Sequence, residues 1–363
     1  MRFLHQLSES EEEEMTVNGI HTYLSGKVLT YKQFKRIQKA CYATGCVQDT
    51  SNIWKAKEKL FCYAYQEQGI KVFLHSKPGK WYRLRVQIEP CRVLGEKAPT
   101  ALAKLDRKTY KELVKHVDRM LKELKVPCSI DEMKLSRCDL TINIEFSCQE
   151  ELMQYLRILK KSILLHDYSH VFFRKDDQKA EDWKTANTHS YCISCESASF
   201  LVYDKIAQLQ MIDRCDETLM DKHILRLEAE LKRTALKRHL GKSSMETNYK
   251  LLSAASTQSA KVVRWYLKRM QPQCEEYLRY EDAVRTIEEA DFGKKIKERM
   301  LHLLRKTSDK GSLSAALESM REKFHLKKNQ CRTVLKKFQK LGISPITLAN
   351  NSPFEELPFL SVL

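Results

Sequence analysis

Three segments of this chain alternate polar and apolar residues with a period of two. In Tyr82–Glu89 the apolar set is Tyr82, Leu84, Val86 and Ile88, against Arg83, Arg85, Gln87 and Glu89. In Arg137–Phe146 it is Cys138, Leu140, Ile142, Ile144 and Phe146, against Arg137, Asp139, Thr141, Asn143 and Glu145. In Leu225–Lys232 it is Leu225, Leu227, Ala229 and Leu231, against Arg226, Glu228, Glu230 and Lys232. A pleated strand sends successive side chains to opposite faces, so each segment predicts a half-buried strand with one apolar and one charged face. A sheet face that mixes carboxylates with arginines suits metal-assisted phosphate chemistry.

The flanking sequence predicts a strand from Gly19, a helix over Tyr31–Cys41, and strands at Leu60–Tyr65 and Ile70–Leu74. Tyr110, Leu113, Val114, Val117 and Leu121 recur at three- and four-residue spacing, which makes Arg107–Leu124 an amphipathic helix. Ser147 is suited to cap the next helix, which carries Leu152, Tyr155, Leu156, Leu159 and Ile163 on one face. Tyr191–Cys195 and Phe200–Lys205, joined by Glu196–Ser199, read as a hairpin. This order predicts an α+β fold of ferredoxin-like character, an antiparallel sheet with helices on one face and the other face open.

Beyond Gly241 the strand signal stops. Helices are expected over Ser259–Met270, Leu278–Ala290, Lys294–Lys306, Ser312–Phe324 and Lys327–Leu341. The last two, broken at His325-Leu326, predict a helix-turn-helix-like end that offers Lys328, Arg332 and Lys336 to DNA. The expected organisation is an acidic disordered leader over residues 1–14, an α+β domain over 15–242 and a basic helical domain over 243–363.

The chain has 64 Lys+Arg against 47 Asp+Glu, a formal net charge of +17. That excess favours a polyanionic partner, nucleic acid first, because neutralising phosphates releases counterions. No apolar run is long enough to span a bilayer and no secretory signal pattern opens the chain, so a cytoplasmic location and no membrane partner are expected. The 12 Cys sit at apparent core positions and read as reduced thiols; Cys192-x-x-Cys195 has no second pair at zinc-site spacing. Phosphate-loop, dinucleotide, nucleophile-elbow and zinc-protease motifs are missing. His166 and His170 are four apart, off the two-residue spacing of strand metal ligands, and His189 is a more local candidate.

In-phase carboxylates remain. If their strands are neighbours, Asp139 and Glu228 converge on one hard cation, magnesium or manganese. The same groups would serve equally as cross-strand ion-pair partners, for example Asp139 with Arg226.

The series Arg137-Cys-Asp139-Leu140, Tyr191, Tyr203-Asp204-Lys205, Leu225-Arg226-Leu227-Glu228 and Leu231-Lys232 resembles an ordered pattern, R-x-D-L, Y, Y-D-K, R-x-E. That order belongs to the rolling-circle replication initiators of Gram-positive plasmids and integrative elements and to related gene II/X-type proteins of filamentous phages. The likeness covers about Arg83 to Lys242, and Leu341-Gly-Ile-Ser-Pro345 resembles the C-terminus of the phage and plasmid members. It implies a single-strand DNA endonuclease and strand transferase. A tyrosine attacks a phosphodiester, leaving a 5′-phosphotyrosyl enzyme and a free 3′-OH.

By motif position the resemblance makes Tyr191 the nucleophile, with Tyr203 as the alternative, Asp139 and Glu228 metal ligands, and Lys205 a cation near the phosphate. Arg137 and Arg226 would contact DNA. The family pattern has a second acidic residue where Asn143 and Ile144 stand, and Gly-Ser where Cys192-Ile-Ser stands; Glu145 would replace the missing carboxylate. Implied partners are single-stranded and origin-duplex DNA and a host replicative helicase. A conjugative relaxase uses the same chemistry. A non-catalytic regulator that stacks single strands on its sheet is the rival from another class; few aromatics fall on the polar strand faces, which argues against it.

Overall fold

In the computed structural model, which describes residues 16–50, 57–77, 79–171, 188–272 and 274–360, the three period-two segments are strands. The acidic leader expected at 1–14 lies outside the described residues. Strands β1 (Thr16–Leu29), β2 (Val47–Asp49), β3 (Glu58–Cys62), β4 (Ile70–Lys77), β5 (Trp81–Ile88), β6 (Lys134–Phe146), β7 (Ser169–His170), β8 (Ser190–Ser194), β9 (Ala198–Asp204) and β10 (His223–Lys232) make a large antiparallel sheet. Its order is β2-β3-β4-β5-β1-β6-β10-β9-β8-β7. The fold is α+β, as expected, with a helical C-terminal part.

The chain divides into two compact units. One holds the residues up to Ile144 with Glu196–Phe200 and Arg226–Val263; the other holds Glu145–Cys195, Leu201–Leu225 and Arg264–Leu363. This division does not follow the boundary expected near residue 242.

In the first unit, β4 alternates strictly, burying Ile70, Val72, Leu74 and Ser76 while Lys71, Phe73, His75 and Lys77 stay half-exposed. Helix α1 (Tyr31–Ala43) covers the buried face through Phe34, Ile37 and Cys41, with the Phe34 and Tyr82 rings 5.1 Å apart. It starts at Tyr31 because Thr30 and Gln33 form a reciprocal capping box, at 3.2 and 2.9 Å. Helix α2 (Arg107–Glu123), capped by Asp106, buries Tyr110, Leu113, Val117, Met120 and Leu121.

The polar faces of β6 and β10 are not open. Asp139, Thr141, Asn143, Arg226 and Glu228 are all buried. Part of the cover is the segment before α2, which bonds to β1 through Ile20 and Ala103 at 3.0 and 2.9 Å. Gly19 permits this approach, since a Cβ there would lie 2.6 Å from the Ala103 carbonyl oxygen. The Thr100 carbonyl then accepts from Asn143 Nδ2 at 2.7 Å and from Arg226 Nη2 at 2.8 Å.

In the second unit, helix α3 (Gln149–Lys160) takes Cys148 as its cap position, and the Ser147 hydroxyl donates instead to Glu151. Helix α4 (Lys205–Met211) begins one residue inside the expected hairpin, because the Asp204 carboxylate accepts from the Ile206 and Ala207 amides at 3.1 and 3.0 Å. Helix α5 (Arg233–Leu240) belongs to the first unit, and α6 (Asn248–Met270) contributes to both. The second unit continues with α7 (Tyr280–Glu289), α8 (Lys294–Lys310), α9 (Leu313–Lys323) and α10 (Lys328–Lys340). Two short strands, β11 (Glu276–Leu278) and β12 (Glu356–Pro358), pair where none was expected. No helix among the described residues is long and apolar enough to cross a membrane.

Candidate metal centre

Strands β6 and β10 are neighbours in the sheet, so side chains on a shared face meet across roughly 5 Å. Asp139 on β6 and Glu228 and Glu230 on β10 accordingly converge, each offering a carboxylate oxygen within 4.8 Å of the others. Among the described residues this is the one group of three such side chains able to hold a metal ion.

The surrounding bonds leave a carboxylate oxygen unmet. Arg137 Nη2 lies 2.8 Å from Asp139 Oδ2 and its Nη1 3.4 Å from Glu230 Oε1. The Thr22 hydroxyl donates to the same Asp139 oxygen, and His21 Nδ1 lies 3.1 Å from Glu228 Oε1. Asp139 is 1% exposed, and its Oδ1 is buried with no hydrogen-bond partner among the described residues. Burial pushes the Asp139 carboxyl well above the usual range; Arg137 opposes this and the Glu228 and Glu230 charges add to it. Glu230 is raised as well, first by burial, with Arg137 opposing and Glu228 adding. Two of the three carboxylates thus share one guanidinium, and a buried oxygen with no partner among the described residues needs a cause. A hard divalent cation would satisfy it and offset the repulsion.

The expected convergence of Asp139 with Glu228 is present. Glu145 does not join them: it binds Lys222 at 3.2 Å through both oxygens. Six residues along a strand span about 20 Å, so sharing a face with Asp139 does not bring it to the same cation. Glu230 takes the third place, and its signal was the in-phase Glu-x-Glu of β10. His21 and Thr22 had no such signal, because β1 changes register between Ile20 and Tyr23.

The arginines also depart from expectation. Asp139 pairs with Arg137, not Arg226. Arg226 is fully buried, donating from Nε to Asn143 Oδ1 at 2.7 Å and from Nη2 to Thr100, so it ties the covering segment down and presents nothing to DNA. Arg226→Ala should therefore destabilise the protein by about 3 kcal/mol, through a cavity and a stranded Asn143 Oδ1. A lowered urea midpoint at unchanged m-value checks this. Arg137 is held by two carboxylates instead of facing phosphate.

Tyr191 and Lys205 belong to the second unit. Tyr191 is buried on β8, its hydroxyl has no hydrogen-bond partner among the described residues, and its ring meets His170 edge-on at 5.7 Å. Burial raises its phenol well above the ordinary value. Lys205 is buried at the start of α4, with Nζ donating to Gln208 at 2.8 Å. Tyr203 is half-buried on β9. His166 is exposed and pairs with Asp167, and His189 Nδ1 lies 3.4 Å from Asp204. All 12 cysteines are free thiols. Lys328, Arg332 and Lys336 are exposed along α10, whose buried side carries Cys331, Val334 and Phe338.

No protein-family model matches the chain, and no curated protein matches it.

Proposed function

We propose that the chain is a replication initiator of the rolling-circle type, a metal-dependent nuclease and strand transferase that cuts single-stranded DNA through Tyr191. The observation that carries this reading is the buried triad of Asp139, Glu228 and Glu230 with its unpartnered Asp139 oxygen. Magnesium or manganese suits three oxygen donors and would polarise a phosphodiester. Glu230 supplies the carboxylate that the Asn143 and Ile144 positions lack, so catalysis does not depend on Glu145. Arg137 positions Asp139 and Glu230 for the ion.

In the proposed step the Tyr191 oxygen forms a bond to phosphorus as the bond from phosphorus to the 3′-oxygen breaks, and the proton given up by the phenol is matched by one taken up by the departing 3′-oxygen, which leaves as a hydroxyl. A phenol is a weak nucleophile at neutral pH, and burial weakens its acidity further, so the reaction would need the charge that a cation held by Asp139, Glu228 and Glu230 would supply. The net charge of +17 supports a polyanionic substrate. Wild-type protein is expected to form an SDS-resistant adduct with a labelled single-stranded oligonucleotide carrying its own origin, only when Mg²⁺ or Mn²⁺ is present. A metal-independent adduct would count against the triad.

Helices α9 and α10 are proposed to act as a helix-turn-helix on the origin duplex, and a replicative helicase as the partner that follows. Replacing Lys328, Arg332 and Lys336 with Ala should weaken duplex binding and flatten its log–log salt dependence by about one unit for each phosphate that is no longer neutralised. Cleavage of a short single strand should persist. An unchanged salt slope would assign α10 a purely structural role.

A further inference from the structure

The face of β3, β4 and β5 opposite α1 carries an aromatic and basic array that the metal centre does not use. Register places Phe61, Phe73 and Arg85 in one cross-strand row and Lys59, His75 and Arg83 in the next. The Phe61 and Phe73 rings stack with centroids 5.0 Å apart and planes 22° apart, and Phe73 and His75 follow at 6.3 Å and 29°. Tyr63 adjoins Phe61 at 5.9 Å and is 40% exposed. The Arg83 guanidinium lies 4.9 Å from the Trp81 ring. These rings are not core: Leu60, Val72, Leu74, Leu84 and Val86 fill the opposite face of the same strands.

The charged residues that β3, β4 and β5 put on this face are basic. Lys59, Lys71, Arg83 and Arg85 have no carboxylate partner among the described residues. Burial, and then Arg85, Lys59 and Arg83, push His75 down to about 4, so at neutral pH it is an uncharged ring in a positive field. On the next strand Gly26 stands opposite Arg85, and a Cβ there would lie 2.9 Å from the Leu84 carbonyl oxygen. Gly26 lines a trough of about 330 Å³ with Arg83, Arg85, Lys134 and Ser136, and Glu132 lines it too. Beyond it, Leu24 pairs with Arg137 of β6, so the array and the acidic triad occupy the same face of the sheet.

We propose that this face is a stacking platform for single-stranded DNA, with bases on Phe61, Phe73 and His75 and phosphates on Lys59, Lys71, Arg83 and Arg85. Unpaired bases expose the π-faces that such rings bind, whereas a duplex hides them, and the unpaired cations match a phosphate backbone. The platform rests on the proposed function only in the choice of DNA. Its binding needs neither metal nor Tyr191.

The test is fluorescence anisotropy of a labelled dT20 oligonucleotide with full-length protein in EDTA, across a salt series. Phe61→Leu with Phe73→Leu keeps apolar volume but removes the stacking surface, and should weaken dT20 binding roughly tenfold or more while sparing duplex binding. Phe73→Trp, alone in otherwise wild-type protein, should keep or tighten it. Arg83→Gln with Arg85→Gln, at exposed positions that do not threaten folding, should lower the log–log salt slope by about 1.4. Binding within about twofold of wild type in the folded double leucine variant, or an unchanged slope in the arginine variant, would overturn the platform. Platform binding that persists in a protein forming no adduct refutes the cleavage reading alone; adduct formation without platform dependence refutes the platform alone.

Discussion

Asp139→Asn is expected to abolish Mn²⁺ binding. The exchange is nearly isosteric, but it removes the charge of the most deeply buried carboxylate in the triad, including the oxygen that has no partner. In thermal melts, Mn²⁺ at about 100 times its dissociation constant should stabilise the wild type by about 2.7 kcal/mol and the variant by nothing measurable. The pH dependence has a definite sign. Burial raises both Asp139 and Glu230, so without metal they favour their protonated forms. Their contribution to stability is complete below the ordinary carboxylate range and is lost as pH rises through the raised values. A cation competes with those protons. Mn²⁺ affinity should therefore fall as pH falls, with proton release visible by calorimetry in buffers of different ionisation enthalpy. Undiminished Mn²⁺ affinity in the variant would show that the three carboxylates form only an ion-pair network with Arg137.

Tyr191→Phe should remove the covalent DNA adduct entirely while DNA affinity stays within about twofold. The substitution deletes one hydroxyl and no charge, so the electrostatic part of binding is untouched. Its effect on stability should be neutral to slightly favourable, since the hydroxyl is buried without a partner and its loss strands no other group. This separates a chemical role from a structural one: a packing tyrosine would move stability, and a nucleophile moves only the adduct. If the adduct survives in Tyr191→Phe and disappears in Tyr203→Phe, the role passes to Tyr203. Survival in both variants would defeat a tyrosine mechanism.

Face alternation is a local property, and for that reason β5, β6 and β10 can be read from sequence to within a few residues. Which faces are covered is not local. Asn143 and Arg226 read as exposed because the segment whose Thr100 carbonyl they hold lies about forty residues before Asn143 and over a hundred before Arg226. Strand phase also cannot choose between two acids on one face, which is how Glu145 comes to be preferred to Glu230. Local pairing rules miss His21 and Thr22, brought to the triad by the irregular register of β1. The platform is hidden for a related reason. Few aromatics are expected on the polar strand faces, and Phe61, Phe73 and His75 form an array only once β3, β4 and β5 are paired. Asp204, by capping α4, ends the hairpin one residue early, and this converts Lys205 from a strand residue into a buried helix start.

The decisive measurement traps the adduct on origin-bearing single-stranded DNA with Mn²⁺, digests the protein and maps the modified peptide by mass spectrometry. The predicted result is a nucleotide attached to the Tyr191 phenol, present with Mn²⁺, absent with EDTA and absent in Asp139→Asn. An adduct on another residue, or one that forms equally in EDTA, would contradict it.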